Sequence, residues 1–197
     1  MNHPIILLFL SIILATTPTI ADETKPEGPP QNGKYETYYD SGALKAKERY
    51  KNGKLHGELK FFYEDGTLAL EANYKNGEAE GVERSYYPNG TLKREATFKN
   101  GVMQGTLKLY DAQGHLTDEI NVKDSRREGI ARSFRPDKSV DEECQFKDDK
   151  RLSCSYFDGA GLLKARSQQD PNDPKRTIYL TFDAQGKVAS AQQAIDE

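Results

Sequence analysis

The sequence predicts an all-β fold: an elongated, single-layer antiparallel β-sheet of about seven stacked β-hairpin repeats of ~24 residues each. Three observations lead there. A phrase recurs at a fixed interval, the residues within it alternate apolar and polar, and each copy holds two turn signals.

The recurrence comes first. "YKNGKLHGELKFFYEDG" begins at Tyr50 and returns as "YKNGEAEGVERSYYPNG" at Tyr74. Aligned on the glycine of "YDSG", the copies place Gly42, Gly66, Gly90 and Gly114 24 residues apart, with Lys138, Gly161 and Gly186 as looser echoes. Four residues earlier stand Tyr38, Phe62, Tyr86, Tyr110, Phe134, Phe157 and Phe182. Two residues later stand Leu44, Leu68, Leu92, Leu116, Val140, Leu163 and Val188.

Between these columns the period is two, the period of a strand. Leu68, Leu70, Ala72 and Tyr74 alternate with Ala69, Glu71 and Asn73, and the copies from Leu92 and Leu116 repeat the pattern. The strands end at Asp65-Gly66 and Asn89-Gly90 on one side and at Asn52-Gly53, Asn76-Gly77 and Asn100-Gly101 on the other. Such pairs supply the positive φ that tight hairpin turns require. Each copy therefore reads strand, turn, strand, turn.

Only 36% of the chain is hydrophobic and it has no tryptophan, too little for a thick two-layer core. One hairpin cannot bury its apolar stripe, but stacked copies lay aromatic on aromatic and leucine on leucine along a shared ladder. Seven copies would form a ribbon on the order of 65 Å long at the usual strand spacing.

The first 21 residues, "MNHPIILLFLSIILATTPTIA", contain no Asp, Glu, Lys or Arg, and the apolar run from Ile5 to Ala15 is too short to span a bilayer. They read as a signal peptide with cleavage after Ala21, and an uncleaved interfacial anchor is the alternative. Residues 22–32 form a proline-rich linker, 33–190 the repeat domain with its last two copies degenerate, and 191–197 a C-terminal tail. A secreted or periplasmic location follows.

The units "YYDSGALKAKERYKNGKLHG" and "FFYEDGTLALEANYKNGEAEG" resemble the variant MORN repeat. The resemblance spans about Gly33 to Ala189 and is strongest in the first four copies. It implies an elongated single-sheet array serving as a binding scaffold, and relatives are often catalogued as antitoxins or immunity proteins. Copies five to seven depart from the pattern, with "RPDKSV" in place of the turn glycine and "SQQDPNDPKRT" in place of the second turn.

Lys and Arg number 28 against 31 Asp and Glu, with the signs interleaved, so no one-signed basic face is expected to hold nucleic acid. Membrane contact is expected to be peripheral at most. His56 and His115 fall in turn columns occupied elsewhere by Glu80, Gln104 and Glu128 or by Thr67 and Thr91, which reads as solvated turn rather than ligand. No nucleophile elbow, HExxH or CxxC motif appears, so the expectation is no enzyme and no cofactor. The acids at Asp137, Asp141, Glu142, Glu143, Asp148 and Asp149, and "DPND" from Asp170, lack calcium-loop spacing; solvated loops are expected, and no metal.

Two features carry site expectations. Cys144 aligns with Ala72, Ala96 and Ile120, and Cys154 with Val82, Thr106 and Ile130. They would face each other across one hairpin if its turn were an odd-length loop centred on Asp149, giving a cross-strand disulfide; two reduced core thiols are the alternative. The doublets Tyr38-Tyr39, Phe62-Tyr63 and Tyr86-Tyr87 place neighbours on opposite faces. With Tyr38, Phe62 and Tyr86 in the core, Tyr39, Tyr63 and Tyr87 would form an exposed stripe for a peptide or glycan, or would cover the strand ends beside the turns.

Together these readings describe an exported, non-enzymatic scaffold that binds a protein partner. An immunity or antitoxin role and a peripheral membrane scaffold are the alternatives.

Overall fold

A computed structural model describes residues 28–173 and 175–195; the expected signal peptide lies outside them. Sixteen strands follow one another: β1 (Gly33–Tyr38), β2 (Leu44–Lys51), β3 (Lys54–Leu55), β4 (Gly57–Phe62), β5 (Leu68–Lys75), β6 (Glu78–Ala79), β7 (Gly81–Tyr86), β8 (Leu92–Lys99), β9 (Val102–Tyr110), β10 (Leu116–Lys123), β11 (Arg126–Phe134), β12 (Val140–Lys147), β13 (Lys150–Phe157), β14 (Leu163–Gln169), β15 (Arg176–Phe182) and β16 (Val188–Ile195). Each pairs antiparallel with its neighbour in one open sheet, with β3 and β6 as short extensions beside β2 and β5. No helix occurs among the described residues. The last strand reaches Ile195, so residues expected as a tail continue the ladder against Arg176–Leu180.

Two kinds of turn alternate along the two edges. At the first, residue one accepts from residue four, as from Gly42 to Tyr39 (2.9 Å) and from Gly66 to Tyr63 (2.9 Å). Seven turns share this bond, including the glycine-free one, where Lys138 takes φ 70° and donates to Arg135. An extra residue always follows it: Thr37 faces Ala46 but Tyr38 faces Leu44, leaving Lys45 as a bulge.

The second kind is a two-residue turn with positive φ at both positions, from Asn52-Gly53 (51°, 70°) to Asp148-Asp149 (48°, 66°). In copy three two extra residues follow it: Glu95 faces Lys108 whereas Thr97 faces Gln104, and the surplus includes Gly105 at φ 80°.

The fifth copy departs. Gln145 faces Ser153 but Phe146 faces Arg151, so only Leu152 is surplus and no glycine is present. The copy is one residue shorter, and that single deletion brings Cys144 opposite Cys154. The sixth copy replaces the two-residue turn by a loop in which Asp170 accepts from Asn172 N–H at 2.8 Å and Asp173 from Lys175 N–H at 3.1 Å.

A single layer buries little. The buried apolar side chains are Ala46, Leu59, Ala72, Ala96, Val122, Cys144, Phe146 and Cys154. Most lie on one face, in rows such as Leu59 against Ala72 and Leu107–Ile120–Ala131–Cys144–Cys154. The tightest cluster is Cys144, Phe146 and Cys154 with Ala131, and the Arg127 guanidinium sits 4.2 Å above the Phe146 ring.

Candidate binding surface

The opposite face is built of charge. Directly opposed residues run Glu36, Lys47, Lys60, Glu71, Arg84, Glu95, Lys108, Glu119, Arg132 and Glu143, strand after strand. From Lys60 onward each step joins opposite signs, with contacts such as Arg84–Glu95 and Arg132–Glu143, both at 2.8 Å. Such cross-strand pairs favour one register over a slipped one. The signal was present in the sequence and went unread: Glu71, Glu95, Glu119 and Glu143 keep the 24-residue spacing, as do Arg84, Lys108 and Arg132.

Tyr39, Tyr63 and Tyr87 take the second of their two expected arrangements, covering strand ends beside the turns, whereas Tyr38 and Tyr86 stand outside the core expected for them. Tyr38 donates to Glu36 (2.8 Å) and Tyr86 to Glu71 (2.8 Å), so these rings stand with the charges, and Tyr38 is 45% exposed. Burial, with the hydrogen bond to Glu71, pushes the Tyr86 phenol up to about 12. Tyr39, Tyr63 and Tyr87 are half-buried. Their hydroxyls donate to the carbonyls of Phe62 (2.7 Å), Tyr86 (2.7 Å) and Tyr110 (2.8 Å), each in the next copy. The reason is local: residue 39 is the first of the turn and a bulge follows, so counting by twos through this point assigns the wrong side.

Other residues of this column behave consistently. Arg135 reaches the Phe157 carbonyl in place of a tyrosine and also pairs with Asp141 at 2.5 Å. Asp111, Asp158 and Asp183 instead cap their own turns, as when Asp111 accepts from the N–H groups of Gln113 and His115 at 2.9 Å. His115 completes that turn, its Nδ1 3.0 Å from Asp111.

The other edge holds a second set of links. Asn32, His56, Glu80, Gln104 and Glu128 each accept from the backbone N–H of the turn residue 20 positions on, at 2.9, 3.4, 2.9, 3.3 and 2.9 Å. His56 therefore has a structural partner rather than a purely solvated position. The acids of copy five are engaged likewise: Asp137 caps Ser139, Asp148 pairs with Arg126 and Asp149 with Arg127.

Cys144 and Cys154 form a disulfide, with Cα atoms 4.0 Å apart. The facing was expected but its cause differs: the turn has two residues and the odd residue is the Leu152 bulge. Cys154 accordingly occupies the column of Ala131 and Leu107 rather than that of Ile130 and Thr106.

What remains open is the other face, whose apolar rows are interrupted by the Glu83–Arg94 pair at 2.5 Å. Phe61 (36% exposed), Tyr156 (36%) and Tyr179 (45%) stand on it, with no second layer above among the described residues.

Residues 31–52, 55–76 and 79–100 each match the MORN repeat variant. Three MORN-variant repeats thus lie within residues 31–100. The match ends at residue 100, and the antiparallel strands continue beyond it to Ile195. No curated protein matches the chain. Among solved structures, that of accessory secretory protein 1, 2 and 3 in Streptococcus pneumoniae is 14% identical over 51% of this chain and 18% of its own, with a TM-score of 0.34. That of TcdB2-TccC3-TEV is 12% identical over 82% of this chain and 12% of its own, with a TM-score of 0.24. The chain thus spans less than a fifth of either.

Proposed function

We propose that the protein is an exported, non-enzymatic MORN scaffold that binds a protein partner in the cell envelope. The observation that carries the reading is the open face bearing Phe61, Tyr156 and Tyr179. Aromatic side chains at Phe61 and Tyr156 stand exposed on a long single-layer sheet, and flat surfaces with such groups are where proteins associate. The Cys144–Cys154 bond fits an oxidising compartment. So does the uncharged, apolar opening of the chain before Asp22.

Two measurements test it. N-terminal sequencing of the protein from the envelope fraction should begin at Asp22, and recovery of the full chain in the cytoplasm with free thiols would defeat the export reading. A photo-crosslinking residue at Phe61 or Tyr156 should trap the same partner, while one at Lys108 on the charged face should not. Equal trapping at all three positions would remove the claim of that face.

A further inference from the structure

The charged face has one stretch where its alternation fails, and this lies on β2. Beyond the bulge at Lys45, the three residues that β2 turns to this face are all cations: Lys47, Arg49 and Lys51. Across the ladder Lys34 directly opposes Arg49, Lys47 opposes Lys60 and Lys51 opposes Lys54. Like charges placed directly opposite destabilise a sheet. Farther along the same ladder Arg84, Lys108 and Arg132 each have a carboxylate within 4 Å. Here Glu36 approaches Lys47 at 3.8 Å and Glu58 takes Lys60 at 2.6 Å, while Lys34, Arg49 and Lys51 have no ion pair among the described residues. A depression of about 440 Å³ is lined by Gly33, Lys34, Arg49, Tyr50, Lys51 and His56, with no carboxylate, and the one beside it adds Glu36, Glu48 and Glu58 to Lys34, Lys47 and Arg49.

The backbone keeps this site open. Gly57 has φ 105°, and a Cβ there would come within 3.0 Å of the Arg49 Cδ. The bare glycine lets the Arg49 stem cross it, with the guanidinium beyond.

We propose that this row is a docking site for an extended acidic segment of a partner protein. It goes beyond the scaffold reading, because it lies on the face opposite Phe61 and Tyr156. The spacing selects the occupant. Alternate residues of a strand are roughly 6.6–6.8 Å apart, and an extended peptide with a carboxylate at every second position has the same repeat. Such a peptide lying along β2 meets three cations in register, Lys47, Arg49 and Lys51. A flat anionic membrane would meet the whole face, including Glu71, Glu95, Glu119 and Glu143, and those carboxylates repel it.

The test uses the mature chain and two fluorescent heptapeptides of one composition, Glu-Thr-Glu-Thr-Glu-Thr-Glu and Glu-Glu-Glu-Glu-Thr-Thr-Thr, read by anisotropy. The alternating peptide should bind at least fivefold more tightly than the block peptide. The double variant Arg49→Gln/Lys51→Gln should weaken it at least tenfold, and raising the salt sixfold should do the same. Arg49→Lys/Lys51→Arg, which keeps the charge, should bind within threefold of the parent; thermal melts establish that both variants fold. Equal binding of the two peptides, or no loss in the Gln variant, overturns the proposal. So does cosedimentation with phosphatidylglycerol vesicles, lost in the Gln variant, when neither peptide binds.

Discussion

The hydroxyl of Tyr63 donates to the carbonyl of Tyr86 at 2.7 Å, 23 residues farther along the chain. The bond joins the turn of one MORN copy to the strand end of the next. The same contact recurs from Tyr39 to Phe62 and from Tyr87 to Tyr110. Tyr63→Phe keeps the ring and removes only the donor, so it should cost about 1–2 kcal/mol, the range for a part-buried carbonyl that loses its partner. Urea denaturation should give that value, and hydrogen exchange should speed up at the turn from Tyr87 to Gly90. Unchanged exchange there would show that the ring, rather than its hydroxyl, links the copies.

The Cys144–Cys154 disulfide closes a loop with a sequence separation of 10. Closure of that length constrains the unfolded chain by about 2–3 kcal/mol. Reduction, or the double change to serine, should lower stability by that amount. Non-reducing peptide mapping of protein purified without reductant should find the bond, and exchange should rise first around Phe146 and Ala131, which pack with the two cysteines.

Gly57→Ala tests backbone and space together. The residue sits at φ 105°, and its new methyl would meet Arg49 Cδ at 3.0 Å. A loss of about 1–2 kcal/mol is expected from the disfavoured backbone region alone. Gly81→Ala has positive φ with nothing within 4 Å, so it should show the backbone cost without the clash. Comparing the two thermal melts separates the terms.

Acid should loosen the turns. Backbone N–H groups of Thr67, His115 and Arg127 hold Asp65, Asp111 and Asp149 below the usual carboxylate range, and the Ser139 hydroxyl does so for Asp137. A carboxyl whose folded value is depressed adds stability above its unfolded pKa, near 4, and loses it as the pH falls through the folded value. The melting temperature should therefore drop between about pH 4 and pH 2. Replacing all four by Asn, which still accepts the same hydrogen bonds, should flatten that drop.

The array itself was legible because its signal is redundant: a 24-residue phrase, a strand period and two turns per copy all agree. The column of Tyr38 and Tyr86 was misread because Lys45 and its equivalents are surplus to the pairing, and a one-residue bulge reverses the side that simple alternation assigns. The facing of Cys144 and Cys154 was legible, but the deletion behind it was not, since loop and bulge are indistinguishable by counting. The second edge was hidden for a chemical reason. Asn32, His56, Glu80, Gln104 and Glu128 share only an acceptor atom, which looks like random polar variation in a column.

The links described above do not run the whole length. Among the described residues, Glu128 makes the last of them on one edge, holding the fifth copy to the fourth, and Arg135 the last on the other, holding the sixth to the fifth. At the next step Asp158 turns its carboxylate inward to Ala160 and Leu162 and offers nothing forward. Pulled from its far end, the ribbon should therefore fray by shedding its final hairpin first, as a zip with its bottom teeth missing, while the earlier hairpins still move as one body.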